Sequence, residues 1–106
     1  MINILAADIG GTNSRFACFQ SEPEENLSLN GSIWLPTGSA ESFVQLLAQL
    51  RSSDFPLDLE AADIAVIAVA CPVEGGKYCT PPYISWDIDL ARKEVSSTMA
   101  RTVLIN

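Results

Sequence analysis

Apolar and polar positions along the first third of the chain fall into three short runs separated by turn-forming residues. That pattern predicts three consecutive strands over 2–8, 14–20 and 28–35. Ile4 to Ala7 reads as buried, and Arg15 to Phe19 reads as a second strand with Phe16 and Cys18 assigned to opposite faces. A glycine turn at Gly10-Gly11 and an acidic loop around Glu22 to Asn26 join them, so strands adjacent in sequence should be adjacent in the sheet. The period then changes. Phe43, Leu46, Leu47 and Leu50 recur at helical spacing, with Ser39 as the expected N-cap, Glu41 in the first turn and Phe55-Pro56 as the stop. Ile64 to Ala70 is continuously apolar and bounded by turn signals, the pattern of a strand covered on both faces. Pro72, Gly75-Gly76 and Pro81-Pro82 break the next stretch into a loop or short hairpin carrying Tyr78 and Tyr83. Asp89 is placed to cap a short helix through Leu90, Val95 and Met99, and Thr102 to Ile105 forms a last strand.

The predicted order is β-β-β-α-β-α-β. Right-handed crossovers through each helix put the fourth strand beside the first and the fifth beside the fourth. An α/β lobe of the ribonuclease-H-like, actin-like ATPase type follows, with a mixed five-stranded sheet in the order 3-2-1-4-5. In such a sheet ligands gather at the carboxyl ends of the parallel strands.

At 106 residues and 48% hydrophobic, the chain can build one lobe, of radius about 13 Å, and not two. A net charge of −7 with six scattered Lys and Arg argues against nucleic acid as a partner, since phosphate neutralisation needs clustered cations. No apolar run reaches the length of a membrane span and no basic stretch precedes the first strand, so the sequence reads as cytoplasmic, with no membrane partner. Three cysteines, Cys18, Cys71 and Cys79, have neither the even count of a disulfide framework nor paired zinc-ligand spacing. The absence of histidine removes Ser-His and Cys-His nucleophile chemistry, leaving acid and base work to carboxylates.

Candidate chemistry concentrates in Leu5-Ala6-Ala7-Asp8-Ile9-Gly10-Gly11-Thr12-Asn13-Ser14-Arg15-Phe16-Ala17. Here a carboxylate, two glycines and two short polar side chains meet at one bend between apolar runs. Glycines at a bend can adopt positive φ and bring bare backbone amides against an anion. Asp8, at the end of an apolar run, would be costly to bury without a cation or donors. Asp-x-Gly-Gly is also an ordinary tight turn. The stretch after it is not helix-forming, which separates it from the Walker loop and the dinucleotide fingerprint, both of which need a helix N-terminus behind the glycines. A phosphate hairpin of the actin-like ATPase type remains.

Leu5 to Ala17 resembles the opening of bacterial glucokinases, members of the sugar kinase and actin-like ATPase superfamily. Ile67-Ala68-Val69-Ala70-Cys71-Pro72-Val73 is similar to the family's small-residue strand and proline-led loop. Ser85-Trp86, followed by the helix-starting segment from Asp89, recurs at the expected distance. Leu104-Ile105-Asn106 is similar to the start of the family's Leu-Ile-Asn-Asp-Phe motif. The resemblance implies ATP and Mg2+ as cofactors and glucose or a related hexose as substrate, with phosphorylation to glucose 6-phosphate as the activity. It assigns Ala7, Asp8, Ile9, Gly10, Gly11, Thr12 and Asn13 to the nucleotide phosphates, Asp8 also to magnesium through water, and Asn106 to a sugar hydroxyl. It places the catalytic base on an aspartate that would follow Asn106. Residues 1–106 are therefore expected to be the N-terminal lobe, inactive without a C-terminal lobe, of a protein that can form homodimers at full length.

Other sites carry weaker signals. Glu74 and Lys77 read as a solvated turn before they read as sugar contacts. Trp86 reads as a buried anchor for its loop before a sugar-stacking ring. Asp87 reads as surface charge, Asp89 as a cap, and Arg15 as an exposed strand residue or a phosphate contact. Trp34 and the Phe43 stripe read as core. Three other readings stay open beside the leading one: a kinase for another hexose, a short stand-alone ATPase lobe that works only by pairing with another chain, and a sugar-responsive regulator of the ROK group. Such regulators usually carry a helix-turn-helix ahead of the phosphate motif, whereas Asp8 follows only seven residues, and Asn13-Ser14-Arg15 departs from their Lys-containing version.

Overall fold

The computed structural model describes residues 1–24 and 26–106, so Glu25 of the expected acidic loop lies outside the described residues. Strands β1 (Ile2–Ile9), β2 (Asn13–Ser21) and β3 (Ser28–Pro36) form an antiparallel meander, because their connections are too short for anything but hairpins. Longer connections carry the chain back to lay β4 (Ile64–Val69) parallel to β1, and then the last strand, β7 (Thr102–Ile105), parallel to β4. The sheet order is β3-β2-β1-β4-β7, the expected 3-2-1-4-5 once a separate two-stranded ribbon is set aside. That ribbon, β5 (Tyr78–Cys79) with β6 (Ile88–Asp89), occupies the irregular segment between the two parallel strands.

One face of the sheet holds the core. Leu5, Ala7 and Ile9 of β1, Phe16 of β2, Ala65, Ile67 and Val69 of β4 and Leu104 of β7 are all buried there. Helix α1 (Phe43–Arg51) adds Phe43, Leu46, Leu47 and Leu50 to the same cluster, and the short α2 (Lys93–Ser96) adds Val95. The N-cap of α1 is Ser42 rather than Ser39: its side chain accepts a hydrogen bond from the Gln45 amide at 3.0 Å. Ser39 sits instead in a single 3-10 turn over Thr37–Ser39, and Glu41 precedes the helix. The helix also stops at Arg51, before Phe55-Pro56, where Ser52 and Ser53 take up the last carbonyls. Asp89 does not cap α2; its Oδ1 accepts from the Ala91 amide, and α2 begins after Arg92.

Three further expectations are corrected by the register. Phe16 and Cys18 lie opposite Ala7 and Leu5 and are both buried, so they share a face, as residues two apart on an unbroken strand must. Trp34 is 61% exposed and not core, because β3 is an edge strand whose alternation sends Trp34 to the side away from the helices. Strand β4 is covered on one face only: Ala65, Ile67 and Val69 are buried while Ile64, Val66 and Ala68 stay half-exposed. The uncovered face continues across the sheet through Ile4 and Phe19 to Leu29, and through Val66 to Val103. A groove of about 250 Å³ crosses it, with Asp8 and Arg15 at one end and Phe19 and Leu29 at the other.

A contiguous apolar face of this kind is an association surface. The 106-residue chain is expected to self-associate, its sedimentation coefficient rising with concentration, and Trp34→Lys is expected to weaken that dependence without unfolding the lobe. No helix among the described residues is long and apolar enough to cross a membrane.

Candidate functional site

Strand β1 delivers the glycine turn to the carboxyl end of the sheet. Ile9 pairs with Ser14, and the four residues between them close on a hydrogen bond from the Gly10 amide to the Asn13 carbonyl at 3.1 Å. Neither glycine uses positive φ; that conformation occurs at Gly75 and Gly76 on the later hairpin. The glycines are required for space instead. A Cβ on Gly10 would stand 2.7 Å from the Asn13 carbonyl oxygen, closer than any real side chain approaches, and one on Gly11 would stand 3.1 Å from Tyr83 Cβ. Among the described residues the amides of Gly11 and Thr12 donate to no protein acceptor, and both residues are exposed. Bare amides at a tight bend are the donors an anion seeks.

The seven residues expected around the phosphates divide by side-chain direction. Ala7 and Ile9 turn inward to the core, so only their backbone borders the turn. Asp8 points the other way and is exposed, so it carries none of the burial cost anticipated for it. Thr12 and Asn13 are exposed beyond the glycines. Arg15 lies opposite Asp8 in register but sits over the Trp34 ring, 5.6 Å from its centroid, and so is held by a cation–π contact.

Asn106 is set by the parallel register. Ile9 pairs with Val69, and Ala68 with Ile105, which brings Asn106 level with Ile9 two strands away. At the usual strand spacing that is about 10 Å across the sheet. Asn106 is exposed at the same end of the sheet as the glycine turn and the Cys71-Pro72 loop. Hairpin Gly75-Gly76 steadies this edge, since the Gly76 carbonyl accepts from the Leu104 amide at 2.8 Å.

The remaining candidates resolve into structural roles. Trp86 is buried, its Nε1 donates to the Ala40 carbonyl at 3.0 Å, and its ring packs 6.3 Å from Phe43, so it anchors the loop. Asp87 is only half-exposed and accepts from the Tyr78 hydroxyl at 3.1 Å, a hydrogen bond that holds the phenol above its usual range. Glu74 and Lys77 lie exposed on the hairpin turn, as expected. Burial, together with a hydrogen bond that the thiol donates to Cys71, pushes the Cys79 thiol up to about 12, and burial also raises Cys18. Both are buried thiols, and the upward direction favours the protonated form. A cavity of about 300 Å³ lined by Ser42, Asp87, Asp89 and Arg92 contains none of the expected site residues.

Sequence reasoning missed Thr37. It is buried, and its hydroxyl and its amide hold the Gly10 and Thr12 carbonyls. No local signal marks it, because its partners lie more than twenty residues away in sequence.

Comparison with known proteins places these features in a family. The model of a family described as Glucokinase matches residues 5–106. No curated protein matches the sequence. Among solved structures, glucokinase from an Antarctic psychrotroph superposes with a TM-score of 0.79 at 22% identity over 100% of this chain. Glucokinase from Leishmania braziliensis gives 0.67 at 19% over 100%, and glucokinase from Balamuthia mandrillaris, solved in complex with glucose, gives 0.66 at 23% over 99%. The chain spans 32%, 30% and 29% of those chains respectively. The shared fold is the N-terminal, actin-like lobe of these enzymes.

Proposed function

Because this chain belongs to the glucokinase family, as the match over residues 5–106 shows, we propose that it supplies the phosphate-binding wall of an ATP-dependent glucose kinase. The carrying observation is the bend at Gly10–Asn13, whose glycines are demanded by contact distance and whose exposed residues Gly11 and Thr12 have amides with no protein acceptor among the described residues.

In this reading the Gly11 and Thr12 amides and the Thr12 and Asn13 side chains meet the phosphate oxygens of ATP. Asp8 holds magnesium through water; it is a single carboxylate, and among the described residues no cluster of three or more acidic, Cys or His side chains forms a dedicated cage. That donor set suits an ion that keeps much of its hydration and takes its other ligands from phosphate. Bound magnesium supplies charge neutralisation on the transferred group. Asn106 offers a donor and an acceptor to a hexose hydroxyl, and glucose is the sugar present in the Balamuthia mandrillaris complex. Phosphoryl transfer asks the protein for position and charge rather than covalent chemistry, which a rigid turn on a sheet edge can provide. In this reading residues 1–106 do not themselves supply the opposite wall of the cleft or the base for the sugar hydroxyl; the chain spans 32% of the Antarctic psychrotroph glucokinase.

Titration of the 15N-labelled chain with Mg-ATP is expected to shift the amides of Gly10 to Asn13 first. Asp8→Asn should weaken Mg-ATP about tenfold, the size of one lost charge contact at a surface, and leave metal-free ATP nearly unaffected. Shifts confined to the Asp87, Asp89 and Arg92 cavity, with the turn silent, would overturn the reading. A coupled assay on the 106-residue chain alone should give no glucose-dependent ATP consumption.

A further inference from the structure

Ser14 and Thr37 are the buried polar side chains among the described residues, and both belong to one run of hydrogen bonds that ends on the glycine turn. Thr37 Oγ1 donates to the Gly10 carbonyl at 2.7 Å and lies 2.6 Å from Ser14 Oγ. A hydroxyl has one proton, and a carbonyl can only accept, so Ser14 is the donor in the second bond. The Thr37 amide donates to the Thr12 carbonyl at 3.0 Å. One residue, placed where β3 passes into a 3-10 turn, therefore grips the backbone on both sides of Gly11.

The consequence for the turn comes from peptide planarity. In a trans peptide the carbonyl of one residue and the amide of the next point in opposite directions. Holding the Gly10 carbonyl toward buried Thr37 forces the Gly11 amide away from the core, to the exposed side. Packing alone would not select threonine, since valine has its shape and would carry no hydroxyl to satisfy in the interior. We propose that Thr37 is the positioning residue of the phosphate turn: it fixes the Gly10 and Thr12 carbonyls so that the Gly11 amide is presented to the nucleotide before the nucleotide arrives. The presentation to nucleotide rests on the function proposed above; the grip on the turn does not. Preorganisation of this kind removes an ordering cost from binding.

The test uses three variants of the 106-residue chain, with 15N relaxation and Mg-ATP and inorganic tripolyphosphate titrations as readouts. Thr37→Val is expected to raise the mobility of Gly10 to Asn13 and to weaken both ligands about tenfold, the equivalent of one hydrogen bond. Thr37→Ser keeps the hydroxyl and should restore both properties. Ser14→Ala removes the hydroxyl that donates to Thr37 Oγ1 but neither of the Thr37 bonds to the Gly10 and Thr12 carbonyls; it should lower the melting temperature while leaving turn mobility and affinity as in the parent. A purely structural role for Thr37 would make Thr37→Val and Ser14→Ala behave alike, and that result overturns the proposal. If Thr37→Val does not fold, the parent chain decides: a slowly exchanging Thr37 hydroxyl proton supports the grip, and exchange at the solvent rate overturns it. If the parent binds neither Mg-ATP nor tripolyphosphate, the phosphate reading fails by itself, and relaxation of the turn still decides whether Thr37 holds it.

Discussion

Alanine at Gly10 is expected to abolish Mg-ATP binding and to lower the stability of the lobe by about 1–3 kcal/mol, the usual range for forcing extra volume into a packed site. The new Cβ would meet the Asn13 carbonyl oxygen at 2.7 Å, and that oxygen is the acceptor closing the turn, so neither atom can move without opening the hairpin. Opening it releases the Gly10 carbonyl from Thr37 and turns the Gly11 amide out of register. Gly11→Ala should be milder, under about 1.5 kcal/mol, because the 3.1 Å neighbour is Tyr83 on an exposed loop that can give way. Gly75→Ala provides the contrast. At φ +59 it is strained by backbone conformation with open space around it, so it should cost about 1–2 kcal/mol and leave nucleotide binding intact. Thermal melts and Mg-ATP titrations of the three variants check the ranking, and equal loss of binding in all three would show that the turn has no special standing.

The sheet was legible because connection length and hydrophobic period are local properties. Two short joins require a meander, and two longer crossovers require parallel additions beside β1 and then beside β4, so the order followed without knowledge of any contact. The Asp8 to Asn13 turn was legible for a similar reason: its residues are contiguous. What failed depended on faces and partners. Ile33, Trp34 and Leu35 are all apolar, so composition could not tell which of them an edge strand turns outward. The apolar run of β4 reads as two-sided cover, which the described residues supply on one side only. Ser39 and Ser42 were both available as caps; the Ser42-x-x-Gln45 spacing of a capping box was the overlooked signal, and Gln45 does reach back to accept from the Glu41 amide. Positive φ was the expected reason for Gly10 and Gly11, and neither adopts it, since a sequence shows that a side chain is absent and not whether φ or a neighbouring atom demands it. Thr37 had no sequence signal because its function is wholly tertiary.

Trp86→Ala is expected to cost about 3–5 kcal/mol, enough to unfold much of a lobe with only one covered sheet face. The substitution deletes a buried ring packed on Phe43 of α1 and orphans the Ala40 carbonyl that its indole nitrogen satisfies. Trp86→Phe retains most of the packing and loses the donor, so it should cost about 1–3 kcal/mol. The loop from Pro72 to Ser85 hangs on this anchor, and it includes Tyr83, which borders the space beside Gly11. Loosening the anchor should therefore raise the mobility of the glycine turn even in the phenylalanine variant, which stays folded. A sugar-stacking role would behave differently: stability would barely change, while the titration with glucose would lose its effect. Chemical denaturation of Trp86→Phe, read together with 15N relaxation at Gly11, separates the two, because an anchoring indole links a buried hydrogen bond at Ala40 to order at a bend on the far side of the loop.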